Sequence, residues 1–159
     1  MYVLALIAVF ASVFLMTGMM AGGMGNFIIF VDFPSLILVL IILIPGLASS
    51  GLLRDFNNAF SVALGKKKNK TLLEMKRARE AVELARKTLV ATGVFTFLFA
   101  LVVILRTLDN PEALGPNVAV ALLTFIYAEI LNILLLPISS KIKVKELEYL
   151  HGELPEKDA

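Results

Sequence analysis

Cysteine is absent from this 159-residue chain, and histidine occurs once, at His151. The first absence excludes disulfides and thiolate metal sites, and the second removes histidine-based metal clusters and catalytic triads within the chain. No glycine-rich phosphate loop, no nucleophile beside a base and no carboxylate pair at metal-binding spacing occurs either. Nothing in the sequence supports an enzyme, a cofactor or a metal. The net charge of +2 argues little by itself, because the distribution of charge matters more than its sum.

What the chain has in excess is apolar surface. It is 58% hydrophobic, with a mean hydropathy of +0.87. A soluble domain is about half apolar and would have nowhere to put the remainder. Lipid supplies that surface. A spanning helix needs about 20 apolar residues to cross a hydrocarbon core about 30 Å thick. Four stretches qualify, at residues 2–20, 34–53, 88–106 and 116–137. The expected fold is an all-α membrane protein, a single membrane domain over 1–159, with four transmembrane helices. The first stretch also has a reading as a signal peptide, against which stand its length and the lack of a basic start.

Orientation follows from lysine and arginine. Ten of the fifteen lie between Arg54 and Lys87, and Lys141, Lys143, Lys145 and Lys157 follow the last span. Only Arg106 falls elsewhere. Four crossings put the two basic regions on one side, so 54–87, the tail at 138–159 and both termini are expected in the cytoplasm. That places the chain in the inner (cytoplasmic) membrane as a multi-pass protein.

Between the second and third spans the pattern predicts an extended helical hairpin. Phe56, Phe60 and Leu64 recur every four residues, continuing the second span's helix past Leu53. Gly65 and the run Lys66-Lys67-Lys68-Asn69-Lys70 end that arm. Thr71-Leu72-Leu73-Glu74 has the form of a capping box opening the second arm, which runs on into the third span. The lysine run reads as positive-inside charge at the hairpin tip, or as a patch for lipid or nucleic acid.

Glu129 is the one charge within the fourth span. A carboxylate at that depth costs at least about 2.5–3.5 kcal/mol on insertion scales, so it faces protein or a wet cavity and marks an ion path. Its bland reading is a side chain bonded to Asn132, three residues on. Thr124 lies five residues earlier, about 140° round the helix, and so on another face. Ala121, Thr124, Ala128 and Asn132 form one small or polar stripe; Thr88, Thr92, Thr96 and Ala100 form a second on the third span. Such stripes are tight helix contacts or a pore lining. The candidate ion-path residues are Thr124, Glu129, Thr96 and Asn132. Asp32-Phe33-Pro34-Ser35 reads as a helix start, and Asp109-Asn110-Pro111-Glu112 with Gly115-Pro116 as an external turn.

Several of these segments resemble the flagellar stator family of MotA and PomA; TolQ and ExbB, more distant members of the same superfamily, look less like this chain. Asp32-Phe33-Pro34-Ser35-Leu36, after a loop containing Gly22-Gly23, resembles the family's second span. The stretch from Leu105-Arg106-Thr107-Leu108 to Gly115-Pro116, then Ala119-Val120-Ala121-Leu122-Leu123-Thr124 and Pro137-Ile138-Ser139-Ser140-Lys141, resembles its third external turn and last span. The resemblance implies a homopentameric ring around two copies of a MotB-like single-span partner. An acid on that partner takes up protons or sodium ions, and ion flow turns the ring. It gives Thr124 the place of a pore-facing threonine, and puts a second at or beside Phe97, next to Thr96. The chain departs from the family in four ways. Val90 stands where the third span opens on proline, and Ile41-Ile42 replace Gly-Gly. Glu129 replaces an apolar residue, and the short hairpin replaces the large cytoplasmic domain that grips the rotor. A non-conducting scaffold and a small antiporter exchanging at Glu129 are the rival readings.

Overall fold

The structure is a computed structural model that describes residues 2–20, 22, 32–64, 71–106 and 111–153. Those residues form five helices and no strand: α1 (Tyr2–Met20), α2 (Phe33–Ser49), α3 (Leu53–Ala63), α4 (Leu72–Leu105) and α5 (Pro111–Glu153). Among them, α4 and α5 are each long and apolar enough to cross a membrane, and α2 with α3 would make a third crossing if the bent pair is one span. The apolar helix α1 lies against α5.

Helix α2 starts where the sequence puts it. Asp32 caps it, its carboxylate accepting from the Ser35 amide at 3.2 Å, and Pro34 sits in the first turn. Its end differs from expectation. The helix stops at Ser49, and α3 leaves at 99° instead of continuing straight. Gly51 takes a left-handed φ of 65°. Its amide donates to the Ala48 carbonyl, and the Leu52 amide donates to Leu47, both at 3.0 Å. These are the paired bonds of a Schellman stop, which a glycine adopts without a Cβ penalty. The Ser49 and Ser50 hydroxyls, both bonded to the Gly46 carbonyl, further occupy the backbone there. The periodicity of Phe56 and Phe60 is real but belongs to a separate helix.

Helix α4 is unbroken for 34 residues, about 50 Å, so the charged arm and the apolar span are one rod. The capping box at Thr71 and Glu74 is formed in both directions at 3.3 Å. Met75, Ala78, Val82, Ala85 and Leu89 make its buried stripe. Helix α5 passes through both Pro116 and Pro137. The helix runs on beyond Pro137, where the fourth apolar stretch ends, and is continuous to Glu153. Ile138, Ile142 and Glu146 are buried at four-residue spacing, so this extension is held by packing.

The core sits where all four of the later helices meet. Val39, Leu43 and Leu47 of α2, Ala59 and Val62 of α3, the α4 stripe, and Ala128, Leu135, Ile138 and Ile142 of α5 form one cluster. The α4–α5 pair is close-packed at Gly93, where an added Cβ would lie 3.0 Å from the Ala128 Cβ. A cavity lined by α2, α4 and α5 opens beside this core.

Candidate functional site

Thr124 is almost wholly buried, at 4% exposure, between α5 and the first turn of α2. Its hydroxyl lies 2.9 Å from Ser35 Oγ and 3.1 Å from the Val120 carbonyl. The Ser35 hydroxyl, fully buried, donates in turn to the Asp32 carboxylate. A hydrogen-bonded chain thus runs from Thr124 through Ser35 to an acid, in the direction that an anionic acceptor polarises. Tyr127 completes the cluster, its phenol oxygen accepting from the Asp32 amide at 2.8 Å. Thirteen residues of α5 precede Thr124, so Asp32 sits about 20 Å down that helix and not at its outer end. Sequence reading took Asp32 only as a cap. Its contact with the last helix spans 95 residues and leaves no local signal.

Above this cluster lies a cavity of about 460 Å³ between α2, α4 and α5. Its wall is mostly apolar, from Leu38, Phe99 and Ile104 among others, and it carries Thr96, Thr124 and Asn117 as its polar groups. Thr96 and Thr124 therefore share one cavity. The Thr96 hydroxyl donates into its own helix, to the Thr92 carbonyl at 2.8 Å and the Gly93 carbonyl at 3.2 Å, which leaves its lone pairs available.

Glu129 and Asn132 form a different cluster and do not line this cavity. The Asn132 amide donates to Glu129 at 3.2 Å, while its carbonyl oxygen accepts from Arg86 Nε at 3.1 Å. The amide so bridges a carboxylate and a guanidinium. The i,i+3 half of this arrangement was readable; Arg86, 46 residues away, was not. Of the two small-residue stripes, Ala121, Thr124 and Ala128 are buried, as is Thr92, which is the packing expected of tight helix contacts. Among the described residues no group of three or more His, Cys, Asp or Glu is placed to hold a metal ion.

A third cluster ties the far end of α5 to the other helices. Arg79 Nη1 lies 2.7 Å from Glu146 Oε2, whose side chain is 7% exposed, and Arg79 Nε is 3.5 Å from Glu83. Lys145 Nζ donates to the Val62 carbonyl at 2.6 Å, near the C-terminal end of α3. Burial, aided by Lys141 and partly opposed by Glu148, holds the Lys145 amine below the ordinary lysine value. Arg77 pairs with Asp55 at 2.9 Å, fastening α4 to α3 near the bend.

No known family profile matches the chain, and no solved structure matches it. It is similar over part of its length to three curated proteins. These are the uncharacterized protein YtxD of Bacillus subtilis (38% identity over 44% of this chain), motility protein A of Aquifex aeolicus (44% over 38%) and chemotaxis protein PomA of Vibrio alginolyticus (43% over 35%). The matched part is 26%, 24% and 22% of those proteins' own lengths. The apolar helices and these partial similarities together describe a multi-pass membrane protein with a MotA/PomA-like region.

Proposed function

We propose that the chain is a subunit of a stator-like, ion-driven complex of the inner membrane. The observation that carries this reading is the cavity in which Thr96 and Thr124 meet above the Thr124–Ser35–Asp32 chain. A carboxylate near the hydrocarbon is costly and marks a protein interior or a hydrated path, and the Thr96 hydroxyl keeps lone pairs free beside the cavity. The similarity to motility protein A and PomA supports the same class. In this reading α1, α2, the apolar part of α4 and the first half of α5 are four crossings. The hairpin of α3 with the arm of α4, and both ends of the chain, lie in the cytoplasm. Five copies form a ring around a MotB-like single-span partner whose acidic residue exchanges protons or sodium ions with the threonine-lined cavity. The load is other than the standard flagellar rotor.

Glu129 is read as a latch within or between subunits, since its partners are Asn132 and, through it, Arg86. The rival scaffold reading draws on one observation, the Thr96 hydroxyl turned into its own helix. Two measurements decide. Native mass of the complex purified from membranes gives a five-subunit ring with a second polypeptide if the reading holds; a dimer alone favours the antiporter. Ion flux in vesicles falls for Thr124→Val and is kept by Glu129→Gln. Flux lost in Glu129→Gln returns that residue to the path, and flux unchanged in Thr124→Val ends the proposal.

A further inference from the structure

A second cavity, also of about 460 Å³, opens on the α4–α5 surface and is lined by Glu83, Arg86, Lys87, Val90, Ala91 and Asn132. Its two ends differ in chemistry. One end carries Arg86 and Lys87, and the other is the aliphatic wall of Val90 and Ala91. These sit where the charged arm of α4 gives way to the charge-free stretch Thr88–Leu105. In a helix that crosses a membrane, that is the boundary between headgroups and hydrocarbon.

Two cations and one carboxylate line this notch, and a second carboxylate, Glu129, stands behind Asn132. Glu83, its one carboxylate, is already engaged by Arg79 at 3.5 Å. Arg86 is held by a neutral amide, Asn132, and among the described residues no carboxylate lies within ion-pair distance of Arg86 or Lys87. The bond from Arg86 Nε to Asn132 fixes the guanidinium in place. A fixed guanidinium and a mobile ammonium side by side match a phosphodiester, the first by directed bonds and the second as a point charge. Basic pockets between spanning helices at such a boundary take anionic lipid headgroups.

We infer that this notch binds an anionic phospholipid, its phosphate on Arg86 and Lys87 and its acyl chain along Val90 and Ala91. The inference rests on the membrane reading and is independent of the ring, the partner and the ion. The test is native mass spectrometry of the protein in neutral detergent doped with phosphatidylglycerol or phosphatidylcholine. Retained phosphatidylglycerol adducts are expected, and weaker phosphatidylcholine adducts. Arg86→Gln with Lys87→Gln weakens the phosphatidylglycerol adduct on the order of tenfold or more, at roughly 1 kcal/mol per cation lost. Lys143→Gln, on the exposed surface of α5, leaves it unchanged. Arg86→Lys, which keeps the charge, retains most of it, provided circular dichroism shows every variant equally helical. Equal retention of the two lipids, or adducts indifferent to the double change, overturns the site. So does stabilisation by inorganic phosphate as large as that by the lipid, which would mark a soluble-phosphate pocket. Carbonate washing of membranes is run in parallel. Wild-type protein that washes off refutes the membrane reading itself, whereas protein that stays without lipid adducts refutes only this site.

Discussion

Replacing Gly93 probes a close contact between α4 and α5. An alanine Cβ there would stand 3.0 Å from the Ala128 Cβ and 3.2 Å from Phe125 Cδ2. A phenyl ring can rotate about its side-chain bonds, but the Ala128 Cβ is fixed to its backbone, so relief there requires the two helices to separate. Two effects compete. Alanine in a helix interior is favoured over glycine by about 1 kcal/mol. Overpacking a close contact costs about 1–3 kcal/mol. Gly93→Ala is therefore expected to lose from near zero to about 2 kcal/mol, the difference of those two ranges. Gly93→Val adds two methyl groups in the same gap and should lose more. The swap Gly93→Ala with Ala128→Gly moves the methyl across the contact and should recover the packing part of the loss; the helix-propensity gain on α4 and loss on α5 cancel, so stability close to wild type is expected. Thermal or denaturant unfolding in detergent, followed by circular dichroism, measures all four proteins. A Gly93→Ala variant about 1 kcal/mol more stable than wild type would refute the contact, because propensity would then act unopposed.

Three further expectations test the polar clusters. Arg79→Met leaves the Glu146 carboxylate buried without its partner and should cost about 2–3 kcal/mol, discounted from the range for fully buried pairs because Arg79 is partly exposed. Glu146→Leu costs less, since Arg79 keeps Glu83, and a double-mutant cycle in the same unfolding assay should show strong coupling; additive losses would deny the pair. Thr124→Val removes the donor to Ser35 and should lose about 1–2 kcal/mol, with Thr124→Ser close to wild type; an equal loss in the serine variant would assign the effect to shape. Folding disfavours the Lys145 ammonium, so that penalty is full at neutral pH and eases as pH climbs through the lowered native value toward the unfolded one. Across that alkaline window the wild type should gain melting temperature relative to Lys145→Met; a constant gap would mean that the amine is not held down.

What could be read without coordinates was local or periodic. The Thr71–Glu74 box and the Asp32 cap lie within a few residues of the backbone groups they serve, so their chemistry shows in the sequence. Four-residue spacing likewise exposed the buried stripes of α4 and α5. Periodicity does not report direction, however, and Phe56 and Phe60 keep their spacing whether the chain runs straight or turns through 99°. Ser49-Ser50-Gly51 was the available signal for that turn, concealed by apolar residues on both sides. The packing of α5 beyond Pro137 was hidden for a related reason. Glu146 looks like solvated charge until Arg79, 67 residues earlier, is placed beside it. The Thr124–Ser35 bond joins residues 89 apart and depends wholly on α2 lying next to α5.

The stop at Gly51 also sets a length. Seventeen residues give α2 a reach of about 25 Å, short of a hydrocarbon layer about 30 Å deep. Neither end can be extended, because one is closed by Asp32 and the other by the reversed turn. If α2 crosses by itself, as proposed above, the bilayer thins around it or its neighbours shield the capped end from the acyl chains, at a fraction of a kcal/mol for each ångström of mismatch. In that case lipid tail length becomes a variable acting on the Asp32 end of the bundle, beside Ser35 and Thr124.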